Sequence, residues 1–395
     1  MQNTRTLIIL DDIWSELDFE SIGLPYGEKG KGCKILITSR NVHVCRKLGS
    51  QKNFTISGLL ENEAWDFFKM MATDTVDQLD MKLIAKDVAD ECDCLPLAIV
   101  TVATTLRGKP KYSWLAALAR LRKPSGTSFS KMKECTELSY NFLKSEEAKS
   151  FLLLSAYLFP EDFDIPIEEV VRCGVGFGWF KDIVVVVHAR NEVHLLVDEL
   201  KECFLLLDSN KKECFKVHDV VRDVARSIAS RVEHGLMIRW DAELTDWPQE
   251  DIWHNSTAVS LKFGKLKEHP GGIACPKLKL LHVGYRKDSA LHEYDFFQGM
   301  NSLTVLSLQN LEILSDFQPL HNLHTLCLEH CRLSNVSIIV EVLKKLQILS
   351  FFDSHIDEVP ASRGQLSDLR LLDLTNCYLP NKESSYGLLA APNFS

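Results

Sequence analysis

A leucine pattern that returns at a nearly fixed step constrains this chain more than any other feature. Leu278-x-x-Leu281-x-Val283 recurs as Leu303-x-x-Leu306-x-Leu308, Leu323-x-x-Leu326-x-Leu328, Leu346-x-x-Leu349-x-Phe351 and Leu369-x-x-Leu372-x-Leu374, with steps of 25, 20, 23 and 23 residues between first leucines. A unit of that length cannot bury its apolar side alone. It stacks on its neighbours, and the stack forms a curved solenoid. Cys331 and Cys377 stand where such units carry Asn or Cys. Leu388 and Leu389 come near the last residue with no polar capping unit, so the array is expected to be cut short.

The other end of the chain reads differently. Leu7-Ile8-Ile9-Leu10 runs into Asp11-Asp12, Lys34-Ile35-Leu36-Ile37-Thr38 runs into Ser39-Arg40, and Phe54-Thr55-Ile56 follows. Continuous apolar runs suit strands of a parallel sheet covered on both faces, which places ligands at the carboxyl ends of its strands. Asp11, Asp12, Ser39 and Arg40 occupy those ends.

Between these regions the spacing is helical. Helices are expected over 63–71, over 82–92 and from Pro96 to about Leu106, the last opened by a proline that forfeits no intrahelical bond. Lys123-Pro124-Ser125-Gly126-Thr127 reads as a linker. Val193, Leu196, Val197, Leu200 and Phe204 mark one amphipathic face. A hairpin over 204–217 and a helix bearing Val217, Val220, Val221, Val224 and Ile228 follow, an arrangement that resembles a winged helix. The expected partition is therefore 1–58, 59–126, 127–233 and 234–395.

Charge and hydropathy exclude several classes. The 45 Lys and Arg against 54 Asp and Glu leave a net charge of −9, the wrong sign for a chain that grips nucleic acid through phosphates. Arg222, Arg226 and Arg231 on one helix could meet DNA, but a solvated helix face explains them better at that charge. The longest apolar stretch, Cys94 to Leu106, is 13 residues, the length of a buried helix and too short to span a bilayer. A run of four apolar residues before Asp11 is too short for a signal peptide, so the 12 scattered cysteines read as reduced thiols in the cytosol.

Each candidate site residue has a plain alternative. Asp11 and Asp12 end a strand as a Walker B pair does, with Asp11 serving Mg²⁺ and Asp12 positioning a water; an ordinary strand running into a solvated loop would look the same. Arg40 offers several donors in one plane to a γ-phosphate, or a local salt bridge. His218 at a helix start could donate to a phosphate; the alternative is a structural histidine beside an Asp219 cap. His321-x-x-His324-x-x-Cys327-x-x-His330-Cys331 has metal-like spacing, but in the repeat register Cys331 points inward while His324 and Cys327 lie on the outer strand face, so zinc is discounted. Cys92-x-Cys94 lacks the two-residue spacer of a redox pair. Gly27-Glu28-Lys29-Gly30-Lys31-Gly32 lacks the G-x-x-x-x-G-K-[ST] order of a phosphate loop, and no such match occurs in the chain.

In order along the chain, Leu7-Ile8-Ile9-Leu10-Asp11-Asp12-Ile13-Trp14, Gly32-Cys33-Lys34-Ile35-Leu36-Ile37-Thr38-Ser39-Arg40, Cys94-Leu95-Pro96-Leu97-Ala98, Tyr157-Leu158-Phe159-Pro160-Glu161-Asp162 and Val217-His218-Asp219, followed by the repeats, resemble plant NB-ARC leucine-rich-repeat disease-resistance proteins. Trp14 after the acidic pair resembles the coiled-coil class. The resemblance implies a multidomain α/β chain: the distal part of a P-loop-type parallel sheet, a helical domain, a winged-helix domain and a leucine-rich-repeat solenoid. It implies a switch controlled by ADP and ATP with Mg²⁺, working in the cytoplasm. Such a switch senses a pathogen effector or a guarded host protein through the repeats, self-assembles on activation and triggers defence. Asp11 would hold Mg²⁺, Asp12 would act in hydrolysis, Arg40 would sense the γ-phosphate, Pro96 would pack near adenine and His218 would contact the β-phosphate of ADP. Cys94 replaces the usual glycine, and Val217 the usual methionine. The family's P-loop precedes the strand that begins here at Leu7, so an amino-terminally truncated chain is expected, with weak or absent nucleotide binding and no measurable ATPase. The alternative is a non-enzymatic repeat module that binds a protein through outer strand-face residues such as His324 and Cys327.

Overall fold

The computed structural model describes residues 5–24, 32–76, 79–122, 128–180, 185–230, 236–244, 247, 253–264, 274–291, 296–313, 317–334, 336–357 and 366–379. The linker at 123–127, most of the glycine-rich stretch at 27–32, Arg231 and the terminal Leu388-Leu389 lie outside them. The chain divides into two compact units, Met1–Gly58 and Leu59–Ser395.

In the smaller unit, β1 (Thr6–Leu10) pairs in parallel with β2 (Cys33–Ile37), Leu10 opposite Ile37. Helix α1 (Val42–Lys47) follows, its amino end capped by the Asn41 side chain, which accepts from the His43 N–H. Phe19, Val44 and Leu48 form a small core against Leu10, Ile35 and Ile37. Burial on both strand faces was the expectation. Burial alternates instead, and Leu7 and Ile9 are each 61% exposed. Among the described residues, α1 and the loops supply cover on one face only. The expected strand at 54–56 is also absent: Phe54 and Ile56 have no strand partner, and Ile56 is 93% exposed.

The larger unit opens with α2 (Glu61–Ala72), α3 (Leu79–Asp90), α4 (Pro96–Leu106), α5 (Lys111–Leu121) and α6 (Ser128–Phe142). They close around Phe68, Val88, Val102 and Trp114. Helix α4 is buried on nearly every side, and its threonines return their hydroxyls to its own backbone, Thr101 to Leu97 O and Thr104 to Val100 O. Next come α7 (Glu146–Leu158), β3 (Ile165–Pro166), α8 (Ile167–Phe177), α9 (Val186–Glu202), β4 (Leu207–Asp208), β5 (Cys214–Lys216) and α10 (Asp219–Ala229). The hairpin is real but short: β5 pairs antiparallel with β4 on one side and β3 on the other. Val193, Val197 and Leu200 of the amphipathic face are buried, while Phe204 lies past the end of α9 at φ +56°.

Strands β6 (Leu236–Leu244), β7 (Ala258–Phe263), β8 (Leu280–Leu291), β9 (Val305–Ile313), β10 (Thr325–Glu329), β11 (Arg332–Leu333), β12 (Ile348–Ser350), β13 (His355–Ile356) and β14 (Leu371–Asp373) complete the unit, with the short helix α11 (Ser337–Val342) between β11 and β12. They form one parallel sheet in the order β14-β12-β10-β9-β8-β7-β6, with β11 and β13 paired beside β9. The leucines of the repeating pattern, from Leu278 to Leu369, meet in a single core on one side of this sheet. Each buried leucine contributes about 1.5–3 kcal/mol, so the pattern is the main source of cohesion there. Cys331 turns into that core, its thiol 3.4 Å from Leu308 O.

The opposite face is not open. Ala258, Leu280, Val305, Thr325, Ile348 and Leu371 lie side by side across six strands. Leu154 and Leu158 of α7 and Cys173 of α8 pack on the first three. Gly176 of α8 sits so close that a Cβ would stand 2.2 Å from Val305 Cγ2. His324 Nδ1 lies 3.4 Å from Gly176 O, and Cys327 is buried beneath Arg172. His324 and Cys327, expected on an outer face free for a partner, are therefore covered by the chain's own helix, because the row beside them is apolar and needs cover. No helix of the described residues is long and apolar enough to cross a membrane.

Candidate functional site

In the smaller unit the parallel register sets the carboxyl ends of β1 and β2 side by side. Thr38 N–H donates to Leu10 O at 2.9 Å, and Ile13 N–H donates to Thr38 O at 2.9 Å, carrying the pairing past both strands. The Thr38 hydroxyl then links the acidic pair: it donates to Asp11 Oδ1 and accepts from the Asp12 N–H at 2.8 Å. Asp12 adopts φ +47°, a left-handed conformation that aspartate tolerates better than most residues. That turn points the two carboxylates differently. Asp12 Oδ2 accepts from Trp14 Nε1 at 3.0 Å and from Arg40 Nη2 at 3.3 Å, and the Arg40 guanidinium lies 4.8 Å over the Trp14 ring. Ser39 Oγ, donating to Ile13 O at 2.6 Å, fixes the loop from the other side.

Asp11, Asp12 and Arg40 are thus brought into one bonded cluster, with Asp11 exposed and held through its Oδ1 by Thr38. Hard cations such as Mg²⁺ accept one or two carboxylates and fill their remaining positions with water and phosphate oxygens. The donor set fits that partial role. Among the described residues no group of three or more acidic, histidine or cysteine side chains could cage an ion by itself. Two organising residues were not among the sequence candidates for the site: Thr38, whose hydroxyl ties the Asp11 carboxylate and the Asp12 N–H to the end of β2, and Trp14, which holds Arg40 and Asp12 together.

Pro96 and His218 both belong to the larger unit, each at the first turn of a helix. Pro96 opens α4 behind the extended Leu95. Asp93 and Cys94 before it are both left-handed, at φ +55° and +56°, and Cys94 O accepts from the Leu59 N–H at 3.0 Å. His218 is itself the cap of α10: its Nδ1 accepts from the Val220 N–H at 3.2 Å. The cap is therefore the histidine and not Asp219. With Nδ1 accepting, the neutral ring carries its proton on Nε2, where it is a donor. Helix α6 packs on both α4 and α10. Arg222, weighed above as a DNA contact, is buried, and its guanidinium faces the protein interior.

Residues 1–78 match the NB-ARC domain family. The chain carries an NB-ARC segment. The segment takes in the smaller unit with its Asp11–Thr38–Asp12–Arg40 cluster, together with α2. Beyond it the similarity continues. Disease resistance protein At4g27190 of Arabidopsis thaliana is 34% identical over 390 residues, covering 95% of this chain and 39% of the relative. Probable disease resistance protein At4g27220 of the same plant is 34% identical over 339 residues, covering 82% and 36%. Putative disease resistance protein At5g05400, also from Arabidopsis thaliana, is 29% identical, covering 100% and 48%. The NB-ARC-bearing chain thus spans less than half the length of each of these relatives.

Proposed function

We propose that this chain works as part of a plant immune receptor: a cytoplasmic switch controlled by ADP and ATP, which senses a pathogen effector or a guarded host protein and triggers defence. The observation that carries the reading is the Asp11–Thr38–Asp12–Arg40 cluster at the carboxyl ends of two adjacent parallel strands, where α/β sheets bind ligands. In this reading 1–58 is the distal part of the nucleotide-binding domain and 59–126 a helical domain. Residues 127–233 form a winged-helix domain and 234–395 a linker with leucine-rich repeats.

Asp11 would hold Mg²⁺, and Asp12 would orient the water that attacks the γ-phosphate. Arg40, kept planar against Trp14 and Asp12, would meet that phosphate. Pro96 would pack near adenine, and His218 would donate from Nε2 to the β-phosphate of ADP. Bound Mg²⁺ would supply charge neutralisation at the phosphates. A charge-assisted hydrogen bond from His218 is worth about 1–3 kcal/mol, enough to bias a two-state equilibrium by one to two orders of magnitude. Effector sensing through the repeats falls to surfaces other than the strand face under α8, and activation would proceed through self-assembly. Exposed His330, Arg332 and Tyr378, with half-buried His355, follow the carboxyl ends of β10, β14 and β12 and are available for such contacts.

The 395 residues hold no G-x-x-x-x-G-K-[ST] loop, and such loops supply most of the backbone N–H groups and the lysine that grip phosphates. Calorimetry with ADP on this chain and on a version extended upstream by the next in-frame coding sequence tests the reading. Saturable binding by the extended version alone, weakened at least tenfold by His218→Ala, is expected. Binding by neither would overturn the switch and leave the non-enzymatic interaction module.

A further inference from the structure

Arg222 is a charged side chain with almost no exposure, 1%; two backbone carbonyls partner one of its nitrogens, while its buried Nε and Nη2 make no hydrogen bond among the described residues. Its Nη1 donates to Phe159 O at 2.6 Å and to Ala156 O at 3.1 Å. Both carbonyls lie at the carboxyl end of α7, where a helix leaves acceptors unpaired and its dipole favours a cation. Arg226 Nε adds a longer bond to Ala156 O at 3.4 Å, and Tyr157 Oη returns one to Arg226 O at 2.8 Å. Burial draws the Arg222 pKa down and Arg226 adds to that, while Glu161, Asp219 and Asp162 offset part of the lowering by favouring the charged form. Glu161 is itself pushed up, by burial and then by Asp219. The cation is thus held by dipoles and a surrounding of carboxylates rather than by one ion pair.

His218 stands one helical turn before Arg222 and on the same side of α10. The two are joined by the first backbone bond of the helix, Arg222 N–H to His218 O at 2.8 Å. Anchoring Arg222 on α7 therefore fixes the turn from which the imidazole projects. It also fixes the Val220 N–H that His218 Nδ1 accepts. The anchor also ties Tyr157–Asp162 to the helix that Val217–Asp219 opens, though they are far apart in the chain: the first supplies the Phe159 carbonyl to Arg222 and the Tyr157 hydroxyl to Arg226 O.

We propose that Arg222 is the positioning residue for His218, holding the first turn of α10 against the end of α7 so that the imidazole keeps its Nε2 proton directed outward for a phosphate oxygen. The proposal rests on the phosphate-contacting role given to His218 above. Its test needs no nucleotide, so the two can fail separately. Amide hydrogen exchange is followed residue by residue in the full chain, in Arg222→Gln and in Arg222→Lys, with His218→Ala as the reference for a lost cap. In Arg222→Gln the Val220 amide should lose protection at least tenfold, approaching His218→Ala, while Val224 to Ile228 keep theirs. Arg222→Lys, which retains the charge, should restore part of it, and carries the test alone if the glutamine variant does not fold. Unchanged protection at Val220 would overturn the proposal. So would an equal loss along the whole of α10, which would make Arg222 a fastening of the fold and nothing more. ADP affinity of the extended chain with and without His218→Ala reports independently on the underlying reading.

Discussion

The Arg172 guanidinium of α8 reaches Asp373 of β14 at 2.7 Å, although 201 residues separate them in the chain. Both side chains are nearly buried, 13% and 15% exposed. Ser350 Oγ bridges them, 3.4 Å from Arg172 Nη1 and donating to Asp373 Oδ2 at 3.2 Å. Burial alone would raise the Asp373 pKa, but hydrogen bonds from Thr375 and the Arg172 charge outweigh it, and the net shift is downward. Removing one partner of such a pair strands the other in a low-dielectric site, at a cost of about 3–5 kcal/mol, whereas the intact pair is worth far less. Arg172→Ala should therefore lower the stability of the larger unit by about 3 kcal/mol in urea unfolding. Arg172→Met with Asp373→Leu should cost much less. Because Asp373 is depressed in the folded state, its stabilising contribution is present above its unfolded pKa and disappears as pH falls through the folded one. The penalty of Arg172→Ala should accordingly shrink below about pH 4. A constant penalty from pH 7 to pH 3 would show that the ion pair is not its source.

Gly176 is a second point where α8 depends on the sheet. A Cβ there would meet Val305 Cγ2 at 2.2 Å and Thr325 Oγ1 at 3.0 Å. Val305 is buried within the apolar row and has no room to retreat. Gly176→Ala should cost about 1–3 kcal/mol as overpacking, and Val305→Ala should recover most of it in the double variant, measured by thermal unfolding. Additive losses would mean that the two side chains do not compete for the same space.

That row also shows where sequence reasoning stopped. The leucines at the repeat positions were legible as a core because their period is internal to each unit, and Leu278, Leu303, Leu323, Leu346 and Leu369 are all buried. The residues two places on, Leu280, Val305, Thr325, Ile348 and Leu371, carry a quieter signal: four of the five are fully apolar on a face assumed to be open. Their partner, α8, lies more than a hundred residues upstream, and its apolar residues Val170, Val171 and Val175 are used in another core. Nothing local specifies that pairing. The site divides the same way. Asp11, Asp12 and Arg40 were legible as residue types at strand ends, but Thr38 organises them only through a cross-strand register, acting 26 residues from Asp12, and Trp14, which bonds Asp12 two residues away, meets Arg40 only through that same register. The expected strand at 54–56 shows the reverse error, an apolar triplet read as pairing where Phe54 and Ile56 are exposed and lie in no strand.

Cys94 offers a prediction of opposite sign. It occupies the position where the NB-ARC resemblance has glycine, and its φ of +56° lies where a Cβ costs about 1–2 kcal/mol. Part of that is returned because glycine loses more freedom on folding, about 0.5–1 kcal/mol. Cys94→Gly should stabilise the larger unit by up to about 1 kcal/mol, seen as a raised melting temperature. A lower one would mean that the thiol's packing beside Leu59 and Leu95 outweighs the backbone strain.

Asp12, Arg40 and Trp14 should separate stability from function. The Arg40–Asp12 pair is 3.3 Å long, with both side chains more than a third exposed, and exposed pairs contribute at most about 1 kcal/mol. Asp12→Ala should therefore change the unfolding free energy by under about 1 kcal/mol. The chemistry proposed for Asp12 is different in scale, since positioned acid–base groups contribute about 10²–10⁴-fold to a rate. In the extended chain Asp12→Ala should reduce ATP turnover at least a hundredfold while ADP affinity stays within about threefold, because ADP lacks the phosphate that the attacking water approaches. Phosphate release and calorimetry on the same preparation read the two quantities. A variant that loses both together, with an unfolding midpoint far below the parent's, would make the cluster a fastening of β1 to β2 and take Asp12 out of the hydrolytic role.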